Sequence, residues 1–371
     1  MKAKKALMLV GSLVLAGSLG LTGCTSEGAS SQVQTQPNQQ GQPNQTAKTQ
    51  GENQGGGTLA KVKQRGKVVV GVNNVLPGFG YLKPDGSNSG FDIDFAKAYA
   101  AAIFGDPNAV ELRPVSTQER FTALQTGEID ILSRNATMTS SRDVSMGLKF
   151  GPTTFYDGQG VMVHADSKIN NLKGLDGMRI GVEQGTTTEM NLTEQLKRVG
   201  AKANIVVFEN QDAEVAAFEQ GSIDAWSTDK SGLVARLASL KNPEGVKILP
   251  DVLSKEPLTP AVKAGDDQMF NLMRWTVYAL IQAEEYGITQ SNVESFLNSE
   301  DPEIRRFLGV EGDVGAQLGL PNDFVVKVIK AVGNYGEIFE RNLGKNTIFK
   351  LDRGANDLWT KGGLLYSPPF R

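Results

Sequence analysis

The stretch ALQTGEIDILS (Ala123 to Ser133) returns as AFEQGSIDAWS (Ala217 to Ser227), with Ala, Gly, Ile-Asp and Ser in register. Upstream of each copy lies a second matched pair, VVVGVNN (Val68 to Asn74) and MRIGVEQ (Met178 to Gln184), an apolar run closing on Gly-Val and then polar residues. Each longer echo reads as a helical tail, a Gly C-cap and a short strand. Two echoes in one order restrict the chain to a pair of similar α/β lobes.

The pattern predicts strands from Val68 to Val72, Glu111 to Val115 and Ile129 to Ser133 in the first lobe, with helices from Phe91 to Phe104 and ending near Thr126. In the second it predicts strands from Arg179 to Val182, Ile205 to Phe208 and Ile223 to Ser227, with helices from Thr187 to Val199 and Glu214 to Gln220. Such alternation implies a mostly parallel sheet covered by helices, with ligands outside the carboxyl ends of the strands. The polar loops NNVLPGFGY, SRNATMTSSR, EQGTTTE and STDKS fall at those ends and would converge on one cleft. After the extended, proline-marked segment with Pro250, Pro257 and Pro260, the chain turns mainly helical. A helix from Asp267 to Tyr286 carries an apolar stripe at Phe270, Met273, Trp275, Val277, Leu280 and Ile281. Later helices are expected from Phe324 to Val332 and from Tyr335 to Leu343. Crossings near residues 160 and 255 make residues 58–160 with 256–371 one lobe plus C-terminal helices, residues 161–255 the other, and the crossings a hinge.

Ahead of the lobes, Lys2, Lys4 and Lys5 precede an apolar run from Ala6 to Leu21, too short for a stable span and suited to a secretory signal. Residues 1–23 read as a lipoprotein signal peptide ending in LTGC, with Cys24, the only cysteine, as the lipidated residue of the mature chain. Residues 24–57, poor in large apolar side chains, read as a flexible linker from that anchor. The folded part then has no disulfide and rests on apolar burial. Loss of residues 1–23 takes three lysines and no acid, moving the net charge from −3 to −6. A mildly acidic chain without a basic patch argues against nucleic acid. A single histidine, His164, argues against a transition-metal site, and no cofactor is expected.

In the stretch SRNATMTSSRD, Ser133 to Asp143, five hydroxyls, one Asn and two Arg follow a strand. The planar fork of Arg142 suits a carboxylate, although an isolated arginine is as readily a solvated one. Thr186, Thr187 and Thr188 open a helix whose free N–H groups cap or bind anions. Asp229 either caps the next helix or meets an ammonium. A cation receptor and an anion receptor on facing walls, with neutral hydrogen-bonding groups between, fit the zwitterion of a free α-amino acid.

With GFDIDFAKAYAAAIFGDP, ERFTALQTGEIDILSRNATMTSSRD, SKEPLTPAVKAGDD and LWTKGGLLYSPPFR, the chain from Lys67 to Arg371 resembles the solute-binding proteins of ATP-driven polar amino acid importers, close to the general L-amino-acid-binding branch. The resemblance implies an α/β, two-lobed type II periplasmic-binding-protein fold with a hinge and a helical C-terminal extension. It implies that Arg142 grips the α-carboxylate beside Thr137, the Asn135 backbone, Thr186 and Thr187, while Asp229 takes the α-ammonium. Asn73 stands where relatives that bind basic amino acids have an acid, and Leu76 where they stack an aromatic ring. Glu183 lies at the pocket's edge, open to a cationic or amide side chain or to solvent. The partners implied are a free L-amino acid and the permease subunits of an ABC transporter, with membrane contact through the lipid anchor alone, the protein being an exported monomer on the periplasmic or extracytoplasmic side. Two rival readings are a dehydratase or lyase on this fold with Glu183 as general acid, which lacks a second titratable group of defined role, and a ligand-sensing lipoprotein.

Overall fold

The computed structural model describes residues 57–371; the expected signal peptide, Cys24 and the expected linker up to residue 56 lie outside the described residues. The echoes build two five-stranded sheets of one plan. In the first, Val110–Pro114, Val68–Val72 and Ile131–Leu132 run parallel, followed by Ala261–Lys263 and Leu148–Phe150. In the second, Asn204–Phe208, Arg179–Glu183 and Ala225–Asp229 take the same places, followed by Gln159–His164 and Val246–Ile248. In each sheet four strands run one way, and only the fourth in order is antiparallel to its two neighbours. That strand is the one on which the chain arrives after crossing between sheets, so it enters against the direction of the echoed strands.

Packing explains why these residues and not others recur. A Cβ on Gly71 would run into Ile129, and a Cβ on Gly181 into Ile223. Each Ile of an Ile-Asp pair therefore fills the space that the Gly of the first strand leaves. Asp130 donates its N–H to the Val69 carbonyl at 2.8 Å and accepts the Val69 N–H on its carboxylate at 2.7 Å. Asp224 treats Arg179 the same way, at 2.8 Å in both bonds. The Asp thus satisfies both polar groups of one strand residue, as buried backbone requires. Because Ile129 and Asp130 serve this junction, the regular strand shortens to Ile131–Leu132.

The helix Phe91–Phe104, rich in Ala and ended by Gly105 at φ 73°, is buried on nearly every side. Its outer side is covered by Asp267–Glu285, Phe324–Val332 and Tyr335–Asn342, so the C-terminal helices complete the core of the first lobe. The buried face of Asp267–Glu285 is Met269, Leu272, Met273, Thr276, Val277 and Leu280, whereas the expected Phe270 and Trp275 are only half-buried. Phe270 lies instead beneath the Lys149 and Arg274 cations, at 4.4 and 5.1 Å. The second lobe has a smaller core on each sheet face, around Ile180, Val182 and Leu192 on one and Phe218, Ile223 and Trp226 on the other.

Between the sheets the chain passes twice through one antiparallel ladder, Phe155–Asp157 against Glu256–Leu258, with Tyr156 opposite Pro257. The C-terminal segment clamps this ladder. The Asn356 side-chain amide accepts the Tyr156 N–H at 2.6 Å and donates to the Tyr156 carbonyl at 3.0 Å, and the Tyr335 hydroxyl donates to the Thr154 carbonyl at 2.7 Å.

Candidate functional site

Parallel strands in each sheet end together, and the loops that leave them enclose a cavity of about 320 Å³. All eight residues singled out in the sequence line it: Asn73, Asn135, Thr137 and Arg142 on the first wall, Glu183, Thr186, Thr187 and Asp229 on the second. Leu76 does not. It is 2% exposed in the core of the first lobe, and its neighbour Val75 faces the cavity.

Thr139 caps the short helix Ser140–Ser145 by accepting the Arg142 N–H, which turns the Arg142 guanidinium inward. That group donates to the Thr137 carbonyl at 2.8 Å and the Gly185 carbonyl at 3.4 Å, and lies 5.0 Å from the centre of the Phe121 ring. Two further arginines line the same wall. Arg134 donates to the Val115 carbonyl at 2.7 Å and the Thr117 hydroxyl at 3.1 Å. Arg120 lies 4.8 Å from the same Phe121 ring and makes one long bond, 3.4 Å, to the Gly185 carbonyl. All three are buried, none is in an ion pair among the described residues, and burial is the first cause lowering the proton affinity of each. Because a buried cation without a paired anion is costly, this wall is suited to receive an anion.

Asp229 ends the strand Ala225–Asp229 and stands at the N-cap of Lys230–Leu237, yet its carboxylate caps nothing. Burial first, then the neighbouring Asp157 and Glu256, push its carboxyl well above the usual carboxylate range, against the pull of Arg120 and Arg142. An ammonium beside it would favour the charged form.

Several expected ligand groups already have partners. The Asn135 N–H donates to Asp92 at 2.8 Å. Its side-chain oxygen accepts the Asn73 amide at 3.2 Å, and Asn73 in turn accepts the Val75 N–H at 3.0 Å. The Thr186 hydroxyl donates to the Glu183 carbonyl at 2.7 Å and accepts the Thr188 N–H at 3.3 Å, which shapes the turn into the helix Thr188–Val199.

Glu256, on the second crossing strand, was not anticipated. It is 1% exposed and accepts the hydroxyls of Thr137 at 2.6 Å and Thr187 at 2.9 Å, the Asn191 amide at 2.7 Å, and the Ser254 hydroxyl. One carboxylate thereby joins both walls through the crossing. Gln118 adds a bond across the cleft, from its side-chain amide to the Glu209 carbonyl at 2.7 Å.

Residues 68–292 match the family of bacterial extracellular solute-binding proteins, family 3. The chain is 52% identical over 316 residues to the general L-amino acid-binding periplasmic protein AapJ of Rhizobium johnstonii, covering 85% of this chain and 93% of that protein. It is 46% identical over 315 residues to the glutamate/glutamine/aspartate/asparagine-binding protein BztA of Rhodobacter capsulatus, again covering 85% and 93%. Among solved structures, an ABC transporter/periplasmic binding protein from Brucella ovis with glutathione bound aligns with a TM-score of 0.83 at 47% identity, covering 85% of this chain and 100% of that one.

Proposed function

The chain belongs to the bacterial extracellular solute-binding proteins, family 3, and from that premise we propose that it binds a free L-amino acid between two lobes and delivers it to the permease of an ABC importer. The observation that carries this is the placement of Arg142 and Asp229 at one cavity, a guanidinium without an ion-pair partner on one wall and an uncapped carboxylate on the other. The α-carboxylate takes the free edge of Arg142 and the α-ammonium takes Asp229. Asn73, Asn135, Thr137, Thr186 and Thr187 shape the walls around that head group, and Glu183 stands at the edge where the side chain emerges. Binding in this manner uses both charges only when residues 58–160 with 256–371 and residues 161–255 close on each other, so the ligand favours the closed state by its differential contacts.

AapJ and BztA are named for amino acids and the Brucella ovis structure holds glutathione, which supports a ligand with an α-amino acid head. An enzyme centred on Glu183 finds no support, since these relatives are binding proteins. Residues 1–23 act as the export signal, and Cys24 carries the acyl chains that hold an otherwise monomeric protein outside the cytoplasmic membrane on the linker 24–57. Calorimetric titration with the twenty amino acids tests the binding, and small-angle scattering tests the closure. Heat from none of them removes the amino acid reading; binding with an unchanged radius of gyration removes the hinge. Incorporation of labelled fatty acid into wild type but not Cys24→Ala tests the anchor.

A further inference from the structure

Arg120 differs from the other two cavity arginines in having almost nothing to do. Arg134 is held by two short bonds and Arg142 by one, whereas the Arg120 guanidinium makes only the 3.4 Å bond to Gly185, and its Nε is buried with no acceptor. The residue is 4% exposed and lines the cavity. A buried guanidinium on a cavity wall, with a single long hydrogen bond, is expected to find a further acceptor in the bound state. Its position is fixed relative to Arg142, because both flank the Phe121 ring and both reach the same Gly185 carbonyl. With Arg142 assigned to the α-carboxylate, we propose that Arg120 is a second anion receptor, and that the protein prefers ligands joining an α-amino acid head to a second carboxylate.

This inference rests on the amino acid reading above and deepens it. An apolar side chain would leave the Arg120 guanidinium without an acceptor, an amide would offer it only a neutral oxygen, and a cationic one would meet Arg120 and Arg134 as well as Glu183. A single carboxylate shared by Arg142 and Arg120 is the competing arrangement, and it gives no preference for a second acid. The cavity of about 320 Å³ admits more than a small amino acid, so the second carboxylate can belong to an acidic side chain or to the far end of a γ-linked peptide.

Calorimetric titration of wild type, Arg120→Gln and Arg120→Lys against L-glutamate, L-glutamine, L-alanine and reduced glutathione separates these cases, with circular dichroism confirming that each variant is folded. The inference expects wild type to hold L-glutamate or glutathione more tightly than L-glutamine. In Arg120→Gln the dicarboxylate is expected to weaken about tenfold or more, with L-glutamine changing less than about threefold and Arg120→Lys falling between, as a lost charge-assisted pair implies. Whichever of L-glutamate and glutathione shows the larger dependence on Arg120 identifies the source of the second carboxylate. Equal losses for L-glutamate and L-glutamine, or no loss for either dicarboxylate, would overturn it. Absence of binding by every ligand to folded wild type would strike the amino acid reading itself.

Discussion

The Asp92 carboxylate accepts the N–H of Asn135 at 2.8 Å, and Asn135 sits at φ 30°; an acid from a buried helix thus holds a left-handed residue in place on the first wall of the cavity. Burial, opposed by that N–H and by Arg134, pushes Asp92 up to about 7. An unfolded Asp loses its proton near pH 4, so between about pH 4 and 7 the folded chain retains a proton that the unfolded chain has lost, and stability falls as pH rises through that window. Asp92→Asn keeps an acceptor for Asn135 and cannot ionise. Urea unfolding at about pH 5 and about pH 8 is expected to show a smaller loss of stability in the variant than in wild type. Equal losses would show that Asp92 titrates in the ordinary carboxylate range.

Gly71→Ala and Gly181→Ala are each expected to destabilise by about 1 to 3 kcal/mol, because the new methyl meets the Ile129 or Ile223 side chain in a filled core. Pairing Gly71→Ala with Ile129→Val should recover part of the loss, whereas pairing it with Ile223→Val should not. Thermal unfolding of the two double variants checks this.

How far the fold could be read in advance follows from the same contacts. The echoes were legible because Gly, Ile and Asp recur for one packing reason in both lobes. The antiparallel fourth strands were not, since each reaches its sheet only after a crossing and carries no echo. Arg120 and Glu256 escaped for a related cause. Within ERFTALQTG, Arg120 looks like an ordinary helical surface charge, and its burial is decided by Gly185 of the other lobe. The register of the echo offered a signal, because it sets Arg120 opposite Glu214, a second buried titratable side chain, whose carboxyl oxygens have no hydrogen-bond partners. Glu256 lies in the proline-marked segment SKEPLTP, far in sequence from the three side chains whose placement makes it central, Thr137, Thr187 and Asn191.

Removing the proposed carboxylate receptor with Arg142→Ala should weaken L-amino acid binding by roughly 2 to 5 kcal/mol, the cost of truncating one partner of a buried charge pair. Arg142→Lys should restore part of it, since a point charge lacks the planar fork. A folded Arg142→Ala protein with unchanged affinity would place the α-carboxylate elsewhere.

The raised Asp229 carboxyl gives the proposed ammonium contact a pH signature. Binding needs the charged form, so affinity should fall on acidification at a pH above the ordinary aspartate range near 4. Asp229→Asn should bind weakly at every pH and lose that limb of the profile. Titrations in buffers of different ionisation enthalpy should also show a proton release on binding in wild type that Asp229→Asn lacks.

Glu256→Gln replaces a carboxylate that takes four hydrogen bonds with a group that can accept on only one oxygen. A loss of about 1.5 to 3 kcal/mol per charged bond removed is the expectation, and small-angle scattering of the unliganded variant should show a wider particle than wild type. An unchanged scattering profile would mean that Thr137 and Thr187 are held by other contacts.

The ladder that carries the chain across twice also sets an order of assembly. Ala261 must find Leu132 to complete the first sheet, and every strand of the second sheet lies between them in sequence. Closing so long a stretch of unfolded chain is entropically slow. If the inserted lobe folds first, its ends emerge side by side at Phe155–Asp157 and Glu256–Leu258, and the long closure becomes a short one. The inserted lobe then acts as a template that hands the returning strand to its neighbours, and a chain that stalls before that step exposes the bare edges of Ile131–Leu132 and Leu148–Phe150, the segments from which aggregation would start.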